Sequence, residues 1–169
     1  VEGSYRFLRR VWNFGYKLSA MDSVAARASV AGAKSLNDVE FGKEAKALRL
    51  EMHTVLKQVD FDYQRMQYNT VVSGTMKMIN ALEGFKALDS AGAQVALIEG
   101  FGILLRCLYP ATPHLSHTLW SELGYAAQLG DLLDARPQAL DQPRRKGLRH
   151  QPAQARVRRR VDRRQHARS

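Results

Sequence analysis

Arg6, Arg9, Arg10 and Lys17 recur within one short stretch and, placed at 100° per residue, fall together with Asn13 in a sector of about 100°. A row of fixed cations on one helix face can contact phosphates, which positions a nucleic acid without reading its sequence; the plain alternative is a solvated face. A second, sparser group, Arg49, His53 and Lys57, recurs at a spacing of four on a later segment. The residues that could support catalysis are poorly placed for it. Asp60 and Asp62 flank Phe61 in a helical pattern and must point to different sides. His114 and His117 lie three apart, but no cysteine or third histidine completes a zinc site. Cys107 sits in the apolar run Ile103 to Leu108 and reads as a small core residue, without a disulfide partner. Gly100-Phe101-Gly102 lies inside a helical apolar pattern, where small residues permit close packing, and no Gly-rich phosphate loop, His-Glu-x-x-His or Gly-x-Ser-x-Gly occurs. No catalytic and no metal-binding residue is assigned.

The elements that must carry these residues read as helices. The first covers Tyr5 to Ala20, with Ser4 as its cap and Phe7, Leu8, Val11, Phe14, Gly15 and Leu18 on its apolar face. Residues 21–41 show no persistent period and form a variable connection. A long helix from Gly42 to Gln67 lines Leu48, Met52, Val55, Val59, Tyr63 and Met66 on one side. A third, Asn69 to Ala87, carries Val72, Thr75, Met76, Ile79 and Leu82. The fourth, Ala93 to Tyr109, is apolar on most sides and is expected to be the most buried. Tyr109-Pro110-Ala111-Thr112-Pro113 must break it, because proline lacks the amide donor and restricts the residue before it. Thr112 then caps a short helix from His114 to Leu123, Pro113 occupies its first position, and Gly124 supplies a left-handed stop. With no alternating apolar strand, the predicted fold is an all-α helical bundle.

The formal charge of +10 is unevenly placed. Residues 1–135 hold 14 Lys+Arg and 14 Asp+Glu, whereas residues 136–169 hold 12 Lys+Arg against Asp141 and Asp162. All 14 aromatic residues lie at or before Tyr125. A segment so charged and so poor in apolar groups cannot offset its ordering entropy by burial. The boundary is therefore placed at residue 134, with a helical domain over 1–134 and an Arg/Gln/Pro-rich, disordered tail over 135–169. The chain shows no secretory signal and no run of about 18 apolar residues, so neither export nor a membrane span is expected. It starts at Val1 and is read as a fragment of a cytoplasmic protein.

Three segments in order carry a resemblance. They are Gly3-Ser4-Tyr5-Arg6-Phe7-Leu8-Arg9-Arg10-Val11-Trp12, the helix from Asn69-Thr70 to Asn80-Ala81-Leu82, and Leu108-Tyr109-Pro110 through Pro113-His114 to Trp120-Ser121-Glu122-Leu123-Gly124. Together they resemble the helical anticodon-binding domain of bacterial leucyl-tRNA synthetases, class I enzymes, over residues 1–134. Phe7, Trp12, Asn69, Pro113, His114 and Trp120 are the signature positions: Phe7, Trp12 and Trp120 are expected in the core, and Asn69, Pro113 and His114 at boundaries and caps. The resemblance implies a tRNA-docking role for a fragment of a leucine–tRNA ligase, with Arg6, Arg9, Arg10 and Lys17, and secondarily Arg49, His53 and Lys57, as RNA-binding candidates. It implies leucine-specific tRNA and the remainder of the synthetase as partners. ATP and Mg belong to a catalytic core whose signatures this sequence lacks, so the fragment needs no cofactor and is expected to be inactive alone. After Asp134 the sequence departs from the family pattern, through either an altered reading frame in a GC-rich gene or a natural basic extension that binds RNA by counterion release. Two other readings stand beside this one: a freestanding helical interaction protein with a basic RNA-binding tail, and the same domain of an isoleucyl- or valyl-tRNA synthetase.

Overall fold

A helix as apolar as Ala93–Leu108 can be stable in water only if other helices surround it, and the architecture follows from that requirement. A computed structural model of the chain describes residues 2–21 and 36–132. It contains α1 (Glu2–Ser19), α2 (Lys43–Gln64), α3 (Tyr68–Gly84), α4 (Ala93–Leu108), α5 (Pro113–Glu122) and the short α6 (Tyr125–Leu129). Among the described residues there is no strand, and no helix is long and apolar enough to cross a membrane. The fold is an all-α bundle, as expected. The tail from 135 onward and most of the connection over 21–41 lie outside the described residues.

Helices α2, α3 and α4 pack against one another; α5 packs on α4, α6 on α5, and α1 leans on α3 and α5. Only Gln94, Ile103 and Arg106 of α4 escape full burial. Its apolar side chains interlock with Met52 and Val59 of α2, Met78, Ile79 and Leu82 of α3 and Trp120 of α5, all fully buried. Each large apolar side chain removed from water in this way contributes about 1.5–3 kcal/mol. The expected apolar face of α1 is the one that is buried: Phe7, Val11, Phe14, Gly15 and Leu18 are inside and Leu8 packs at the margin.

The helices approach closely because small residues stand at their crossings. A Cβ at Gly74 would run into Val59 Cγ2, and one at Gly100 would lie 3.0 Å from Leu82 Cδ2 and 3.3 Å from Met52 Cγ. The small residues of the Gly-Phe-Gly run thus serve packing. At the other end, Gly124 adopts φ 76°, the left-handed stop expected after α5. Trp120 is wedged behind this turn, stacked on Tyr125 with ring centroids 4.7 Å apart and donating from Nε1 to Gly130 O at 2.9 Å. Tyr125 Oη donates to Ile98 O at 2.6 Å, which fastens the turn to α4.

Several local expectations are corrected. α1 begins at Glu2, so Ser4 lies inside the first turn and caps nothing. Thr112 precedes Pro113 as expected, yet its side chain makes no cap bond; its hydroxyl lies 3.4 Å from Leu108 O and 3.3 Å from Ser116 Oγ. Asn69 follows Gln67 and Tyr68 into α3 and is the second helical residue, not the cap. Thr75, Ile79 and Leu82 of α3 are buried as expected, but the stripe also takes in Val71, Gly74 and Met78 in place of Val72 and Met76, which leaves Met76 exposed. Gly74 explains the offset, since the line of closest approach must run through the residue without a side chain. Met66 turns out of α2 with φ 57° and is 75% exposed, because the chain reverses there instead of continuing to Gln67.

Gly74→Ala should therefore destabilise the domain by about 1–3 kcal/mol, the usual cost of forcing extra volume into a packed core. Gly84→Ala is the control: it lies in the same helix, a Cβ there would meet no atom within 4 Å, and it should stabilise by up to about 1 kcal/mol. Thermal denaturation followed by circular dichroism measures both, and equal melting temperatures for the two variants would contradict the packing argument.

Candidate nucleic-acid interface

The cations singled out in the sequence divide into two sets once their neighbours are known. On α1, Arg10 donates from Nε to Glu83 Oε2 at 3.1 Å and from Nη2 to Asn80 Oδ1 at 2.7 Å, with a further bond from Nη2 to Glu83. The hydrogen bond to Glu83 holds the guanidinium above its ordinary pKa. Glu83 and Asn80 both belong to α3, so Arg10 is a latch between two helices. Arg6 pairs with Glu2 one turn earlier, and both side chains are largely in solvent. Such an exposed pair is worth little and exchanges readily for another anion. Arg9 and Lys17 are exposed and meet no acidic partner among the described residues.

On α2 the outcome differs. Arg49 donates from Nε to Glu99 Oε2 at 2.6 Å and from Nη2 to Oε1 at 3.1 Å, while His53 Nε2 lies 3.0 Å from Glu99 Oε1. The Arg49 guanidinium also lies over the Phe41 ring, 4.3 Å from its centroid. Glu99 is the one acidic residue of α4, and its side chain is almost wholly enclosed. Burial pushes its carboxyl up, but the hydrogen bonds from Arg49 and His53 outweigh burial and bring it below the ordinary carboxylate value. Arg49 and His53 are accordingly committed to holding a buried charge, and they clasp α2 to α4. Lys57, a turn further along α2, is exposed and has no acidic partner among the described residues.

The signature positions also separate. Phe7 and Trp120 are buried as expected. Trp12 is not: it is 45% exposed, because its place on the α1 wheel lies well off the face that meets α3 and α5. Tyr5 and Tyr16 are exposed on the same side, at 62% and 76%. Their spacing of seven and four residues from Trp12 is the sequence signal for this stripe, since all three lie off the apolar face. Pro113 takes the first position of α5, and His114 follows it on the surface.

The groups that could suggest catalysis have structural roles. Asp62 is buried and accepts from Gln58 Nε2 at 2.9 Å, whereas Asp60 is exposed and accepts from Gln64 Nε2 at 3.0 Å, so the two carboxylates face apart. Burial raises the Cys107 thiol to about 12 and removes it from nucleophilic chemistry at neutral pH. Tyr63 Oη donates to Cys107 O at 2.5 Å, and burial raises this phenol to about 12 as well. His117 Nε2 lies 3.7 Å from Asp131 Oδ1. What the surface does offer is an exposed basic and aromatic helix, mounted on a rigid bundle.

Residues 45–150 match the family described as the anticodon-binding domain of tRNA ligase. Among curated relatives, the leucine–tRNA ligase of Acidovorax sp. (strain JS42) is 85% identical over 135 residues, covering 80% of this chain and 15% of that protein. The leucine–tRNA ligase of Delftia acidovorans (strain DSM 14801 / SPH-1) is 79% identical over 147 residues, covering 84% of the chain and 16% of that protein. That of Verminephrobacter eiseniae (strain EF01-2) is 66% identical over 141 residues, with 80% and 16% covered. The chain thus spans about a sixth of the length of the relatives it matches.

The Glu99 clasp gives a test with a defined sign. A carboxyl whose folded pKa lies below its unfolded value stabilises the fold fully above the unfolded value, about 4.3, and loses that contribution as pH falls through the folded one. Glu99→Gln should lower stability at pH 7 by about 1–3 kcal/mol, because Arg49 and His53 lose the charge they enclose. The gap between wild type and variant should narrow as pH falls below the unfolded value. Denaturant melts at pH 7 and pH 3 measure it, and a gap that stays constant would show that the carboxylate is not the source.

Proposed function

Since the chain belongs to the family of anticodon-binding domains of tRNA ligases, we propose that it is the tRNA-docking part of a leucine–tRNA ligase. The observation that carries this reading is the 85% identity with a leucine–tRNA ligase across four-fifths of the chain. The complete protein would join leucine to its tRNA at the expense of ATP, in the cytoplasm. ATP and Mg would be held by the remainder of that polypeptide, the domain's constant partner. In this chain the work is positioning. Rigid cations on a helix face meet the phosphates of a folded RNA, and the bundle fixes their spacing.

The division among the cations sets the roles. Arg9 and Lys17 contact phosphates, since neither has an acidic neighbour to give up among the described residues. Arg6 joins them by exchanging Glu2 for phosphate. Arg10, Arg49 and His53, all candidates on sequence grounds, serve the fold, and Lys57 is a secondary contact on α2. Contacts of this kind orient the tRNA; preference for the leucine-specific tRNA over those for isoleucine and valine comes from the shape presented to the domain. Residues 135–169 form a separate basic segment that adds sequence-independent attraction.

Combined replacement Arg9→Ala with Lys17→Ala should weaken binding of a leucine-specific tRNA transcript and reduce the dependence of log affinity on log salt by about 1–2. Arg10→Ala should instead lower the melting temperature and leave the salt dependence unchanged. Fluorescence anisotropy of labelled tRNA at salt concentrations from about 50 to 200 mM reads the first effect. An unaltered slope in the double variant would remove α1 from the interface.

A further inference from the structure

Three large aromatic side chains exposed along one helix call for an explanation that isolated surface aromatics do not. Tyr5, Trp12 and Tyr16 form such a line on α1, and Arg9 borders it, between Tyr5 and Trp12 along the axis, exposed and without an acidic partner among the described residues. Lys17 follows on the adjoining strip. The only acid of α1, Glu2, is engaged by Arg6. A helix face destined for an apolar protein seam has little use for an unpaired arginine bordering it midway along its length, because the charge would have to be desolvated there. Flat π-faces interleaved with free cations have instead the composition that receives nucleotides, the ring meeting a base and the cation its phosphate.

Spacing narrows the ligand. Tyr5 and Trp12 are about 10 Å apart along the helix axis, and Trp12 and Tyr16 about 6 Å. Bases stacked within a duplex follow each other at about 3.4 Å and hide their faces from side chains. Resting on the tRNA-docking reading above, we infer that α1 carries a stacking platform for unpaired nucleotides of an RNA loop, with Trp12 and Tyr16 as the base-contacting residues and Arg9 and Lys17 on the flanking phosphates. The domain then distinguishes splayed nucleotides from paired ones without recognising base identity.

The two tryptophans make the test direct. Trp120 is fully buried and hydrogen-bonded to Gly130, so exposed-tryptophan emission reports on Trp12. The 169-residue chain is titrated with a single-stranded RNA of about 12 nucleotides and unstructured sequence and, separately, with the same RNA as a blunt duplex. The single strand should quench Trp12 emission and the duplex should not. Trp12→Ala and Tyr16→Ala should each weaken single-strand binding at least about fivefold while leaving its salt dependence intact; both sites are exposed, and circular dichroism checks that the variants fold. Attraction from residues 135–169 is common to all the proteins and cancels in the comparison. Equal quenching by the duplex would overturn the inference, as would aromatic variants that bind the single strand normally. If binding ignores the aromatic variants yet falls on Arg9→Ala with Lys17→Ala, tRNA docking stands and the stripe is a seam for another part of the ligase polypeptide. If neither pair of changes matters, both readings fall. Sedimentation that finds wild type dimeric and Trp12→Ala monomeric would likewise overturn the inference, assigning the stripe to a second copy.

Discussion

Helix α4 is the constraint from which the rest of the architecture follows. It has almost no polar side from which to meet water, so it must be enclosed, and α2, α3 and α5 are arranged around it for that purpose. Enclosure imposes two further demands. The neighbours must come close, which places Gly74 and Gly100 at the crossings. The single carboxylate on α4 must also be neutralised where it stands, which recruits Arg49 and His53 from α2. A buried charge left without partners costs several kcal/mol, so Glu99 fixes the register of α2 on α4 more strictly than the apolar contacts alone. Phe41, under the Arg49 guanidinium, extends the same cluster to the segment leading into α2.

A consequence of this arrangement is that charge on the domain has two uses with opposite requirements. Cations that hold the helices together must be directional and matched to an acid, as Arg49 is to Glu99 and Arg10 to Glu83. Cations available to a polyanion must be solvated and unmatched, as Arg9 and Lys17 are among the described residues. A total charge says nothing about this partition. The helical part of the chain is electrically balanced over residues 1–135, so under the proposed docking role its attraction for phosphate comes from where its unmatched cations stand and not from net charge.

Periodicity makes much of the fold legible. The order of helices, the apolar face of α1, the burial of α4, the first position of Pro113 and the stop at Gly124 all depend on local pattern or local stereochemistry, which a sequence displays directly. Two kinds of feature escape it. The buried stripe of α3 keeps Thr75, Ile79 and Leu82 but turns toward Val71, Gly74 and Met78, because its position is set by where α2 can approach, and Gly74, the cause, looks like a neutral residue in a helical pattern. The commitment of Arg10, Arg49 and His53 depends on acids 73, 50 and 46 residues away, and no spacing rule connects residues so distant in the chain. Trp12 departs from expectation for a different reason: its place on the α1 wheel, off the apolar face, already signals exposure, and the core assignment followed the family resemblance instead. Recognition of the family, in contrast, rests on ordered segments of sequence and needs no long-range geometry.

The state of Cys107 has a practical meaning. It is the chain's one thiol, it lies on α4 with its carbonyl bonded to Tyr63, and burial keeps it protonated. Alkylating reagents therefore meet no reactive sulfur until the helices around α4 separate. The rate at which the native thiol becomes labelled is then a clock for opening of the bundle, reading the least accessible helix without any added probe. By the same token, a cysteine introduced on the outer surface of α1 would be the single site modified in the folded state, so a dye could be placed beside Arg9 while the interior of the domain stays unmarked.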